Sequence, residues 1–185
     1  MQRAAPAPWA APNHISQGRI VSITLVAIDD HPIVVEGLAI VLAREDIEVT
    51  WLGSHTTWAA FQEWLATSGV IPEVVLLDLN LGDGVDPCSR IREVGALGCR
   101  VVVITSELRP VPIRRAVQAG AVGLVLKSDP ARQVAEVLRD VSDGNVAVSS
   151  DLAFALINDE HLIPNLAPRE LEALRLMADG VPRKS

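Results

Sequence analysis

Between residues 21 and 144 of this 185-residue chain, short β-branched apolar runs alternate five times with amphipathic stretches, an order that few architectures accept. The runs read as strands at 23–28, 47–51, 73–78, 101–105 and 121–126. The intervening stretches read as helices at 33–42, 58–65, 87–94, 112–119 and 130–141, several opening at proline. Runs such as EVVLLD and VVVIT are continuously apolar, as strands are when helices cover both faces of their sheet. The expected fold is α/β, a doubly wound five-stranded parallel sheet. A linker over 145–164, with helical tendency at 152–157, and an incomplete helical segment over 165–185 follow it.

Composition narrows the function. Hydrophobic residues at 49% and charged ones at 21% exclude a disordered chain. The net charge of -7 argues against nucleic acid as a partner of the bulk surface. The apolar stretches at 20–28 and 74–77 fall far short of the ~20 residues of a membrane helix, so no membrane is expected. Residues 1–20, with Pro6, Pro8 and Pro12 and no apolar core of a secretory signal, read as a flexible tail. Cys88 and Cys99 form no CxxC and have no nearby His pair, which disfavours a disulfide framework or zinc site and suits a reducing, cytoplasmic setting.

Ligands of open α/β sheets bind at the carboxyl ends of strands. There the first strand carries Asp29-Asp30, the third Asp78, the fourth Thr105-Ser106 and the fifth Lys127. Each has a plainer reading: Asp30 as a helix cap before Pro32, Asp78 as a turn residue, Thr105 as an ordinary strand residue, Lys127 as a snorkelling cation. Together they form a specific chemical set. Clustered carboxylates repel, and a hard cation with oxygen ligands, usually Mg²⁺ at phosphoryl sites, relieves the repulsion. One carboxylate can then attack phosphorus while cation, ammonium and hydroxyl take charge from the transferred oxygens. Lys127 is one of two lysines among 16 basic residues, which favours a particular need for an ammonium group there.

The Asp29-Asp30 pair, VVLLDLN with Asp78, VVVITS with Thr105 and AGAVGLVLKSD with Lys127 resemble, in order and spacing, the receiver domain of bacterial two-component response regulators. The resemblance implies a flavodoxin-like receiver over 21–144, with Asp78 accepting a phosphoryl group from a sensor histidine kinase. It implies that Asp30, Asp78 and the main-chain carbonyl of Asn80 bind Mg²⁺, with Asp29 helping through water. Thr105 would donate its hydroxyl to the phosphoryl group, and Lys127 would pair with that group or the carboxylate. Ser106 would leave access to Asp78, while Asn80 and Glu107 would influence the loss of phosphate to water. Homodimerisation through the fourth helix, fifth strand and fifth helix is also implied, where Arg114, Arg115, Asp129, Arg132, Glu136, Arg139 and Asp140 lie. Two departures stand out: the loop after Asp78 is short and lacks the family's proline, and Leu124 occupies the place of an aromatic that follows the moving hydroxyl. Phosphorylation should survive the second change, whereas its coupling to output is in question.

Residues 166–180, with Leu171, Leu174 and Met177 at helical spacing, resemble the opening helix of a LuxR-type helix-turn-helix, as in NarL/FixJ-type regulators. The chain stops at Ser185, where the next helix would begin, so DNA binding is expected only of a form with a complete helix-turn-helix. The leading expectation is thus a phosphorylation-controlled regulator of transcription. The alternative is a phosphorylation-independent receiver-like interaction module, toward which Leu124 and the altered loop point. An enzyme using Asp78 as a phosphatase nucleophile is disfavoured, because Asn80 stands where the second carboxylate belongs; a phosphoacceptor with self-dephosphorylation is expected instead.

Overall fold

The computed structural model describes residues 22–45, 47–150 and 152–153. They form β1 (Ser22–Ile28), α1 (Pro32–Leu42), β2 (Glu48–His55), α2 (Trp58–Ser68), β3 (Val74–Asp78), α3 (Pro87–Ala96), β4 (Arg100–Thr105), α4 (Pro110–Ala119), β5 (Gly123–Leu126), α5 (Ala131–Ser142) and β6 (Ala147–Val148). The strands are parallel, in the order β2-β1-β3-β4-β5-β6. Side chains alternate across each inner strand and so build two cores. Val75, Leu77, Val101 and Val103 face Phe61, Ile91, Val94 and Ile113 of α2, α3 and α4. Val74, Leu76, Val102 and Ile104 face Val35, Leu38, Val134 and Leu138 of α1 and α5. This is the doubly wound α/β fold that the apolar runs predict.

Local chemistry sets the helix ends. Proline opens α1, α3 and α4, where its missing N–H leaves no helical bond unmade. Thr57 caps α2 by accepting the Ala60 amide at 3.2 Å, and Gly120 ends α4 at φ 111°, a conformation glycine takes without a Cβ penalty.

The structure departs from expectation at both edges of the sheet. The sheet has six strands rather than five: Ala147 donates its amide to Val122 at 3.0 Å and Ser149 to Leu124 at 2.9 Å, within the stretch read as linker. Two residues after Gly144-Asn145 carry too little pattern to be read as a strand. β2 runs on to His55, beyond the expected end at 51, with Leu52 bulged out of its register with β1. Gly53 and Ser54 had disguised that extension. α1 buries Val35, Leu38 and Leu42 but exposes Ile33 and Ile40 at 79% and 62%, because a helix apolar nearly all round does not declare its inner face. The tail at 1–20 and the helical segment at 165–185 lie outside the described residues. No helix among the described residues is long and apolar enough to cross a membrane.

Gly123 leaves no room for a side chain between β4 and α5. A Cβ there would lie 2.7 Å from Val102 Cγ2 and 3.1 Å from Val141 Cγ2. Gly123→Ala is expected to destabilise the fold by about 1–3 kcal/mol through overpacking, read as a lowered midpoint in denaturant unfolding.

Candidate functional site

The strand order reverses between β1 and β3, which opens a crevice at their carboxyl ends. β1 leads into Asp29-Asp30, β3 ends on Asp78, β4 ends on Thr105, and Lys127 follows β5. The five sequence-predicted groups therefore meet at one edge. Lys127 Nζ donates to Asp29 Oδ1 at 2.9 Å and to Asp78 Oδ2 at 2.8 Å. The side chains of Asp29 and Asp78 are 1% and 3% exposed, so the bridge is shielded from water and salt. Burial pushes the Asp78 carboxyl above its usual range, against the pull of hydrogen bonds from Lys127 and Asn80. Burial pulls the Lys127 ammonium down, but its hydrogen bonds to Asp78 and Asp29 outweigh this and leave it raised.

The remaining groups surround this bridge. Asn80 is exposed, and its amide donates to Asp78 Oδ1 at 3.1 Å. Thr105 Oγ1 accepts the Glu107 amide at 2.9 Å, which leaves the hydroxyl proton free to be donated elsewhere. Ser106 is exposed at the rim of a cleft of about 470 Å³ in front of Asp78, lined also by Thr105, Cys88, Arg115 and Lys127. Leu124 is 1% exposed and packs in one core with Val148 and Leu152. Several charges of the expected dimer face form contacts within the chain: Arg115 pairs with Asp86 at 3.3 Å and Arg132 with Glu136 at 3.0 Å, while Asp129 Oδ2 accepts the Leu126 amide at 2.6 Å.

Sequence reading passes over His31, which looks like punctuation between two acids and a proline. It occupies the cap position of α1 in place of Asp30, and its amide donates to Asp29 Oδ1 at 2.8 Å. Its Nδ1 lies 2.7 Å from Asp30 Oδ1 and 3.5 Å from Lys127 Nζ. Asp29, Asp30, His31 and Asp78 each offer one ligand atom within 4.8 Å of the others. Asp29 Oδ2 is buried with no hydrogen-bond partner in the structure. A buried carboxylate oxygen left unsatisfied among hard oxygen donors fits a divalent cation such as Mg²⁺.

The family model of the response regulator receiver domain matches residues 25–139. The transcriptional regulatory protein LiaR of Bacillus subtilis is 32% identical over 173 residues, covering 88% of this chain and 79% of LiaR. The nitrate/nitrite response regulator protein NarL of Escherichia coli is 28% identical over 171 residues, covering 87% of this chain and 77% of NarL. The signal receiver domain of NarL from Mycobacterium tuberculosis superposes with a TM-score of 0.59 at 27% identity, over 68% of this chain and 99% of that one. The RcsB response regulator of Salmonella typhimurium shares the fold at a TM-score of 0.66 and 23% identity, over 87% of this chain and 79% of RcsB.

At the cleft rim, Arg109 holds the Glu107 carboxylate through its side chain and, at 2.8 Å, its amide, which lowers the Glu107 pKa to about 2. This lowered value means that the pair contributes stability above the ordinary glutamate range and loses it as pH falls toward 2. The contribution is small because Arg109 is 79% exposed. An NMR titration of the Glu107 carboxyl carbon should give a midpoint near 2. In Arg109→Gln it should rise but stay below the ordinary glutamate value, because the residue 109 amide still donates to the carboxylate.

Proposed function

Because this chain belongs to the response regulator receiver domain family, we propose that Asp78 accepts a phosphoryl group from a sensor histidine kinase in a Mg²⁺-dependent reaction that controls transcription. The observation that carries this reading is the Lys127 bridge between Asp29 and Asp78, beside a buried Asp29 oxygen that has no partner. Asp30, Asp78 and the Asn80 carbonyl would hold the cation, with Asp29 assisting. When bound, the cation supplies charge neutralisation at the phosphoryl oxygens.

An Asp78 oxygen attacks the phosphorus of a phosphohistidine; the new O–P bond forms as the P–N bond breaks, and the departing imidazole nitrogen takes a proton. Lys127 opposes the upward push of burial on the Asp78 carboxyl and stays beside the transferred group. Thr105, with its oxygen already accepting an amide, turns its hydroxyl proton toward the new phosphoryl oxygen. Ser106 leaves the approach open, and Asn80 and Glu107 border the path of hydrolytic water. We assign the chain to the cytoplasm, and DNA binding to a form carrying a complete helix-turn-helix. Leu124 favours a second reading, a phosphorylation-independent interaction module, since no aromatic side chain stands there to report the state of Thr105.

Acetyl phosphate with Mg²⁺ should give one phosphoryl adduct by intact mass spectrometry, lost on chelation and in Asp78→Ala. No adduct, under conditions that label an ordinary receiver, would transfer support to the interaction module. Dimerisation through α4, β5 and α5 should double the mass in light scattering on adding a beryllofluoride mimic, and a mass that stays monomeric would overturn it.

A further inference from the structure

The loop from Asp78 to α3 is held from behind by a residue that the reaction does not use. Arg90, on α3, is 1% exposed, with its guanidinium 6.0 Å from the centroid of the Trp58 ring. Its Nη2 donates to Asp83 Oδ1, while Nε and Nη1 are buried with no hydrogen-bond partner in the structure. A buried cation satisfied at only one nitrogen is a poor device for stabilising a fold. What it does hold is position. Asp83 Oδ1 also accepts the Val85 amide at 3.2 Å, so one oxygen ties the helix to the turn of the loop.

The loop needs that tie. Leu79 and Leu81 are buried and pin its first half, whereas Gly82 and Gly84 adopt φ of 67° and 75° and give its second half little stiffness of its own. A Cβ on Gly82 would lie 3.7 Å from Asp30 Oδ2, and the Asn80 amide donates to Asp78 Oδ1 at 3.1 Å. The loop backbone thus runs against two of the carboxylates assigned to the cation.

We propose that Arg90 is a positioning residue which, through Asp83, fixes this loop against Asp30 and Asp78 and so sets the affinity of the site for Mg²⁺. The proposal rests on the receiver reading above. Arg90 touches neither the cation nor the phosphoryl group.

The test compares wild type, Arg90→Met, Arg90→Lys and Arg90→Met/Asp83→Asn by Mg²⁺ titration calorimetry, with thermal melts as the check on folding and amide hydrogen exchange on the loop. Arg90→Met should weaken Mg²⁺ binding about 10-fold, the usual size of an outer-shell effect. Arg90→Lys should recover part of the loss, and the double variant should bind no more weakly than Arg90→Met. The direction is diagnostic: removing a positive charge would by itself tighten binding of a divalent cation, and only a displaced loop weakens it. Exchange at Asn80 and Gly82 should rise while α5 stays protected. Wild-type affinity in a folded Arg90→Met overturns the proposal. If Arg90→Met does not fold, Asp83→Asn, at a side chain 26% exposed, replaces it, and unchanged loop exchange there overturns the proposal. A wild type without Asp78-dependent Mg²⁺ binding would instead defeat the receiver reading; the positioning role is then decided by loop exchange alone.

Discussion

A single ammonium nitrogen between two buried carboxylates governs the carboxyl edge of this sheet. Asp29 and Asp78 lie at the carboxyl ends of neighbouring strands, where the winding reverses and a low dielectric magnifies their repulsion. Lys127 arrives from the far side of β4, in a loop whose amide is fixed to the Thr105 carbonyl at 2.9 Å. The order of strands therefore decides the electrostatics: β5 has to lie where it does for its lysine to reach both acids. Charge beyond what one ammonium neutralises remains on Asp30 and on the second oxygen of Asp29, and this residue of negative charge makes the edge receptive to a divalent cation.

Much of this arrangement was legible in the sequence, for a physical reason. Strands covered on both faces are apolar throughout, so the polar residues ending them, Asp78 after VVLL and Lys127 after GLVL, stand out sharply. The helices between could be counted because proline and glycine mark their ends. Illegible were features whose signal is tertiary. Arg90 looks like one of the solvated charges of an amphipathic helix, and only the packing of α3 against Trp58 shows it buried. His31 reads as a turn residue until the folding of β1 into α1 sets its ring against Asp30. The inner face of α1 was ambiguous because valine, isoleucine and leucine surround that helix. β6 is too short to have a period at all.

Leu124 shows how one substitution in residue type changes what a site can report. It is sealed into the core with Val148 and Leu152, so its side chain has no route between a buried and an exposed rotamer without opening a cavity there. Movement at Thr105 would have to travel through the main chain of β4 and β5, whose ladder runs from Val102 opposite Gly123 to Thr105 opposite Leu126.

The short β6 also decides how copies of this chain can meet. Edge strands invite pairing because their amides and carbonyls are unspent. Here the carbonyls of Val122 and Leu124 are already taken by the amides of Ala147 and Ser149. Another chain cannot extend the sheet along β5, and the two residues of β6 are too short a template to replace it. Association across this side of the molecule is thereby left to side chains, many of them charged. Contacts of that kind weaken as ionic strength rises and separate without any strand having to be peeled away.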